Sequence, residues 1–322
     1  MKFGFVMPTR PPLATTENIV AMLAKAEELG FGYVTVPDHI IPPGEFNRAY
    51  PYAASGEMSW GPSGNVLEML ALLSFLAAKT SSIRIATGIM VVPLRNPLFA
   101  AKALATIDFL SNGRLTVGCG VGWEHLEFAV LGAPPFSERG QVADEYIRLF
   151  KELWTQDNPK FAGRYANFAD LPFFPKPVQR PHPPIWIGGE SPPAMRRAAR
   201  LGNGWYPIGS NQRYPYDSTK RYAAALGQFH HYVDEAGRNR SELELAYCVL
   251  WYAEDKAVIL ETGERKAFTG EFEQITDDVQ AFEELGVSCI ILNLQANTLK
   301  ESLNRMERFA ARVHSLSSTV RA

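Results

Sequence analysis

His39 is the first residue whose type and setting allow catalysis. It follows the apolar run Tyr33-Val34-Thr35-Val36 and the turn Pro37-Asp38. Imidazole titrates near neutral pH, so at this position it reads as a proton donor or acceptor. The competing reading is a loop histidine paired with its neighbouring carboxylate, Asp38. A second group is Gly188-Gly189-Glu190-Ser191, set between Ile185-Trp186-Ile187 and a segment that opens on Pro192. Ser191 can accept a bond from an early helical N–H, and Pro192 suits the first helical position. The glycines admit close approach of a ligand, and free N–H groups at a helix start attract anions, which describes a phosphate cradle. A tight strand-to-helix turn gives the same pattern. Gly88-Ile89 interrupts an apolar stretch and marks either a bulge where a ligand plane meets the backbone or a packing accommodation. Gly118-Cys119-Gly120-Val121-Gly122-Trp123 lacks the G-x-G-x-x-G of a dinucleotide fold. Trp123 is either a cofactor or substrate wall or a core aromatic.

Other chemistries find little support. His230 and His231 are adjacent on a predicted helix and face different directions. His125, between Glu124 and Glu127, lacks metal-ligand spacing, and His182 is boxed between prolines, so no metal site is expected. There is no G-x-S-x-G elbow, and no cysteine has an activating partner. Cys119, Cys248 and Cys289 each fall inside an apolar strand, as suits reduced thiols in a cytoplasmic protein. A net charge of −2 over 322 residues argues against a nucleic-acid or membrane-surface partner held by bulk electrostatics. No run approaches the roughly 20 apolar residues of a membrane span, and the apolar opening to Pro8 is too short for a signal sequence.

Positioning these groups takes eight short apolar strands, each followed by a helix. The strands are expected at 3–8, 33–36, 83–92, 114–120, 185–187, 205–208, 243–252 and 288–294. Helices are expected from Thr15 or Thr16 to Gly30, around Val66 to Leu76, and over 96–110, 141–154, 192–202, 219–236, 277–285 and 299–313. In the third of these, Phe99, Ala103, Ile107 and Leu110 share one side. The stretch 158–184 holds seven of the chain's 23 prolines and reads as an irregular excursion. The segment 254–274 is polar without a period. Eight βα units with strands of low alternation describe a parallel sheet covered on both faces, and the count favours an α/β fold closed as a (β/α)8 TIM barrel over an open sheet. One domain over 1–322 is expected, with insertions near 38–64, 155–184 and 254–275. Sites on such barrels lie at the C-terminal strand ends, where His39, Gly88, Gly120 and Gly189 all fall.

With the motifs in this order, the chain resembles the luciferase-like monooxygenase superfamily, bacterial luciferase's fold group, and within it the coenzyme F420-dependent oxidoreductases. The resemblance is carried by Leu29-Gly30-Phe31-Gly32-Tyr33-Val34 running into Pro37-Asp38-His39, Thr87-Gly88-Ile89 with Pro93-Leu94-Arg95-Asn96-Pro97, and Leu110-Ser111-Asn112-Gly113-Arg114-Leu115. It continues through Val117 to Trp123, Pro175-Lys176-Pro177, Gly188 to Trp205, and Glu283-Glu284-Leu285-Gly286-Val287. It implies a flavin or deazaflavin at the strand C-termini, backed by a non-proline cis peptide on strand three, which Gly88-Ile89 matches. It also implies a phosphate site after strand five and a catalytic histidine after strand two. The implied cofactor-binding residues are Asp38, Gly88, Ile89, Gly120, Gly188, Gly189, Glu190 and Ser191, and the implied catalytic residue is His39. Trp60 and Trp123 line the substrate pocket in this reading, with Phe46, Tyr50 and Tyr52 as further wall. Trp123 stands where F420-dependent sugar-phosphate dehydrogenases carry a glutamate proton donor, and Ala194 stands where some flavin members carry a phosphate-holding threonine. The expected activity is hydride transfer between F420 and a small organic substrate. The alternatives are an FMN-type monooxygenase using FMNH2 from a separate flavin reductase with O2, and a flavin-binding protein without turnover. A homodimer through the helices following strands two and three is also implied.

Overall fold

Short apolar runs with no polar face can only be satisfied between two packed layers, and each becomes an interior strand. The computed structural model describes residues 1–41, 50–56 and 64–319. Its barrel strands are β1 (Lys2–Val6), β2 (Tyr33–Val36), β3 (Arg84–Thr87, resuming at Met90–Val91), β4 (Leu115–Gly120), β5 (Ile185–Gly188), β6 (Gly204–Tyr206), β7 (Glu244–Val249) and β8 (Cys289–Leu292). All pair in parallel in the order β3-β2-β1-β8-β7-β6-β5-β4, and β4 returns to β3, closing the barrel. The interior is filled by residues including Tyr33, Trp186, Tyr206, Cys248, Cys289 and Ile291. Strand three is not the continuous run that its apolar pattern predicts. Ala86 pairs with Thr116 and Met90 with Cys119, so four steps of β3 (86 to 90) match three of β4 (116 to 119). One residue is extra, and the bulge lies at Gly88-Ile89, joined by a cis peptide bond. The seventh strand also stops earlier than expected, at Val249.

Around the barrel run α1 (Thr16–Glu28), α2 (Met69–Lys79), α3 (Pro97–Leu110), α4 (His125–Val130), α5 (Arg139–Thr155), α6 (Pro192–Leu201), α7 (Thr219–Glu235), α8 (Phe272–Glu284) and α9 (Leu299–Thr319). Thr15 caps α1 by accepting from Asn18 N–H at 3.2 Å, as the sequence predicts. The helix α8 begins at Phe272, five residues before the predicted 277, because the Gln274 side chain accepts from the Glu271 N–H at 2.9 Å and starts the helix inside a polar stretch. In α3 the buried stripe is Ala100, Ala101, Leu104 and Ile107, while Phe99 and Leu110 are exposed. Small alanines let this helix lie close to its neighbours, which leaves its largest side chains outside.

Buried carboxylates hold the excursions. Glu145 accepts from the N–H groups of Arg164, Tyr165 and Ala166 at 2.8, 2.7 and 2.9 Å, pinning the small hairpin Phe161–Ala162 with Asn167–Phe168. Asp108 accepts from Val178 and Gln179 at 2.7 and 3.1 Å and ties down the proline-rich approach to β5. The polar stretch 254–274 contains a short parallel pair, Ala253–Glu254 with Thr269–Gly270. The three cysteines are buried and unbridged, and burial pushes the Cys119 and Cys248 thiols up to about 12, so they are inert. Among the described residues no helix is long and apolar enough to cross a membrane.

Candidate active site

The C-terminal strand ends open on a cavity of about 540 Å³, within the roughly 300–1,000 Å³ of small-ligand sites. Asp38, His39, Gly88, Ile89, Gly120, Trp123, Gly188, Gly189, Glu190 and Ser191 all line it. Trp60 and Phe46 lie outside the described residues.

The bulge decides what the strand-end glycines are for. A Cβ on Gly88 would sit 2.7 Å from Thr35 Cβ, so strand three can pass strand two there only as glycine. The following side chain, Ile89, reaches across the barrel mouth. A Cβ on Gly120 or Gly188 would lie 2.5 or 2.3 Å from its Cδ1. Those two glycines therefore make room for Ile89, which forms an apolar floor to the cavity, where the sequence suggested close approach of a ligand to bare backbone.

His39 does not pair with Asp38. Both Asp38 oxygens are taken by Arg95 at 2.6 and 2.7 Å, and one also accepts from Val91 N–H at 2.8 Å, which ties the end of β2 to the far side of the bulge. The Nδ1 of His39 instead lies 3.2 Å from Glu127 Oε2, a residue of α4 that is 2% exposed. Glu127 Oε1 accepts from Ile40 and Ile41 N–H at 2.8 and 3.0 Å. Burial alone would raise the Glu127 carboxyl, but His39 and these N–H groups outweigh it and hold it below the usual range. Glu124, the other acid near Trp123, caps α4 through Leu126 N–H at 2.9 Å. Trp123 packs edge-on to His39 at 5.8 Å, Tyr50 packs on Trp123 at 5.4 Å, and Tyr52 on Tyr50 at 5.5 Å. This aromatic wall ends at Glu190, 3.4 Å from the Tyr52 hydroxyl.

At the start of α6 the predicted cap is missing: no helical N–H bonds the Ser191 side chain. Pro192 and Pro193 fill the first two helical positions and neither has an N–H to give, which leaves the Ala194 N–H as the one early donor, and it does not bond Ser191. Ser191 lines the cavity. Sequence reasoning missed Arg139, at the start of α5, which also lines the cavity. Its Nε and Nη1 donate to Gly122 and Phe136 carbonyls at 3.2 and 2.9 Å, and its plane lies 4.0 Å over the Phe136 ring. Burial and the neighbouring Arg197 lower its pKa, and among the described residues no carboxylate pairs with it. A cation in the first turn of a helix opposes the helix dipole, which is the signal that could have flagged it. The Glu190 carboxyl is already engaged by protein donors. Its oxygens accept from Ile208 N–H at 2.7 Å, Asn211 Nδ2 at 2.8 Å and Tyr52, and burial pushes its carboxyl up to about 7.

Residues 1–244 match the profile of the luciferase-like monooxygenase family. Over 169 residues the chain is 37% identical to an FMNH2-dependent dimethylsulfone monooxygenase from Pseudomonas putida, a match covering 51% of this chain and 46% of that protein. Over 191 residues it is 33% identical to an F420-dependent glucose-6-phosphate dehydrogenase from Amycolatopsis mediterranei, covering 58% of this chain and 52% of that protein. The chain thus spans about half the length of these two relatives. In structure it is similar to the monooxygenase RslO1 from Streptomyces bottropensis, with TM-score 0.76 and 22% identity over 98% of this chain and 100% of that one, a likeness of fold.

Proposed function

The chain belongs to the luciferase-like monooxygenase family, and on that premise we propose that it is a two-electron oxidoreductase transferring hydride between coenzyme F420 and a small organic substrate. The observation that carries this reading is one cavity joining the Gly88-Ile89 bulge, the His39 imidazole and the Ser191–Arg139 end. The residues present fit a flat cofactor with an anionic tail. Ile89 offers an apolar seat, Trp123 and Tyr50 a facing wall, and the Ser191 hydroxyl with the Arg139 guanidinium would hold a phosphate. When bound, F420 supplies a ring carbon that accepts or gives up hydride. His39 carries the proton that accompanies the hydride, taking it from a substrate hydroxyl during oxidation and returning it during reduction.

A second reading is an FMNH2-dependent monooxygenase served by a separate flavin reductase. One observation favours it: the 37% identical relative is FMNH2-dependent. The resemblance, which implies Trp123 in place of a glutamate donor, points the same way. Separate titrations with F420 and FMNH2, followed by fluorescence, distinguish them. Tight F420 binding without FMNH2 binding supports the first reading, the reverse supports the second, and binding of neither removes both. The proposal keeps the chain as a single barrel domain over 1–322 acting in the cytoplasm. It also takes the chain as a homodimer through α2 and α3, where Phe99, Phe109 and Leu110 are 68%, 58% and 57% exposed.

A further inference from the structure

Glu127 is buried against the cavity wall, and one of its oxygens meets His39 Nδ1 at 3.2 Å while the other receives the N–H groups of Ile40 and Ile41. An ionised carboxylate can only accept, and the two backbone donors add to what keeps it ionised. The proton in the His39–Glu127 contact therefore belongs to His39. In a neutral imidazole with its hydrogen on Nδ1, the Nε2 atom carries the lone pair.

We propose that Glu127 is the positioning residue for His39: it keeps the ring proton on Nδ1, so that proton exchange with substrate runs through Nε2, and it clamps the backbone that follows the ring. The proposal rests on the reading of His39 as the proton-carrying group. Among the described residues, the other acids near the cavity are engaged elsewhere. Asp38, the sequence neighbour, has both oxygens committed to Arg95 and Val91 N–H. Glu190 lies at the other end of the aromatic wall, engaged by Ile208, Asn211 and Tyr52. Edge-on contact with Trp123 at 5.8 Å limits rotation of the imidazole, so the carboxylate and the indole together define one ring orientation. The division of labour also explains why the acid sits on α4. From there its side chain reaches three donors of the His39–Ile41 segment at once.

The test begins on the ligand-free protein. Long-range ¹H–¹⁵N spectra of the histidine rings, with His39 identified by its loss in His39→Gln, report which nitrogen carries the hydrogen. The expected result is the Nδ1–H tautomer for His39 in the wild type. In Glu127→Ala the expected result is a mixture or the Nε2–H tautomer. Glu127→Gln guards against simple loss of the loop, because it keeps the volume but cannot accept from both His39 and the two N–H groups without turning its NH2 toward one of them. It too is expected to disturb the tautomer, with a native-like backbone spectrum. Turnover, measured with whichever cofactor binds and a panel of small alcohols, is expected to fall about 10–100-fold in kcat for both variants, with KM within about twofold. An unchanged Nδ1–H tautomer in both variants overturns the proposal, as does unchanged kcat in a protein where His39→Ala is impaired. Should His39→Ala turn over normally, the functional reading of His39 fails, and the tautomer measurement still decides the positioning claim.

Discussion

At the scale of single residues, the cavity separates groups that hold position from groups left for chemistry. His39 belongs to the second class under the proposed function. Its replacement by alanine is expected to lower turnover about 10²–10⁴-fold, the usual loss for an acid or base, while the cofactor dissociation constant stays within about threefold. Steady-state kinetics beside fluorescence titration will show both. Arg139→Met is expected to do the opposite, weakening cofactor binding about 10–100-fold through loss of a charge-assisted contact, with a smaller effect on kcat. Glu190 makes a pH prediction. Its folded-state value of about 7 lies above the ordinary 4.5, so the folded protein holds a proton that the unfolded chain releases between those values. Stability from this group is present in full below about 4.5 and lost as pH rises through about 7, on the order of 3 kcal/mol in all. Denaturant midpoints from pH 4.5 to 8 should thus fall more steeply for the wild type than for Glu190→Gln. Parallel curves would count against a titrating Glu190.

Among elements, the third strand governs the mouth. Its extra residue turns Ile89 across toward β4 and β5, and the glycines there are shaped to that side chain. Gly188→Ala is expected to cost about 1–3 kcal/mol by overpacking, since the new methyl would meet Ile89 Cδ1. Ile89→Val lacks that atom and should recover much of the loss in the double variant. Thermal or denaturant unfolding of the four proteins of the cycle gives the coupling, and purely additive effects would mean that the two positions do not touch. The glycines were visible in the sequence as breaks in apolar runs. Their common cause was not, because Ile89 lies about 30 and 100 residues away from them along the chain and only barrel closure brings the three together.

For the whole molecule, the exposed apolar face of α3 is the feature a lone barrel does not use. Phe109→Lys with Leu110→Glu is expected to shift the protein from dimer to monomer in sedimentation velocity without loss of helical signal. A wild type that sediments as a monomer at micromolar concentration would remove the dimer from the proposal. The helix also shows how periodicity misleads. Phe99, Ala103, Ile107 and Leu110 share a side by spacing, yet of these only Ile107 is buried, and the buried face runs through Ala100, Ala101, Leu104 and Ala105, since close packing of helices around a barrel selects for small residues as well as apolar ones.

What the sequence by itself determined was the local and the repetitive. Eight apolar runs alternating with capped helices are set by burial and by backbone hydrogen bonding within a few residues, so the barrel and the place of His39, Gly88, Gly120 and Gly189 at its mouth were legible from composition and spacing, while the other candidate residues came from the family resemblance. What only the tertiary structure decided was which side chains meet: His39 with Glu127, Asp38 with Arg95, Glu190 with Asn211, Ile89 with Gly188. Each of those pairs is formed across loops or strands that closure alone makes neighbours, and the energy of a hydrogen bond or a van der Waals contact depends on a separation of a few ångströms that no one-dimensional pattern encodes.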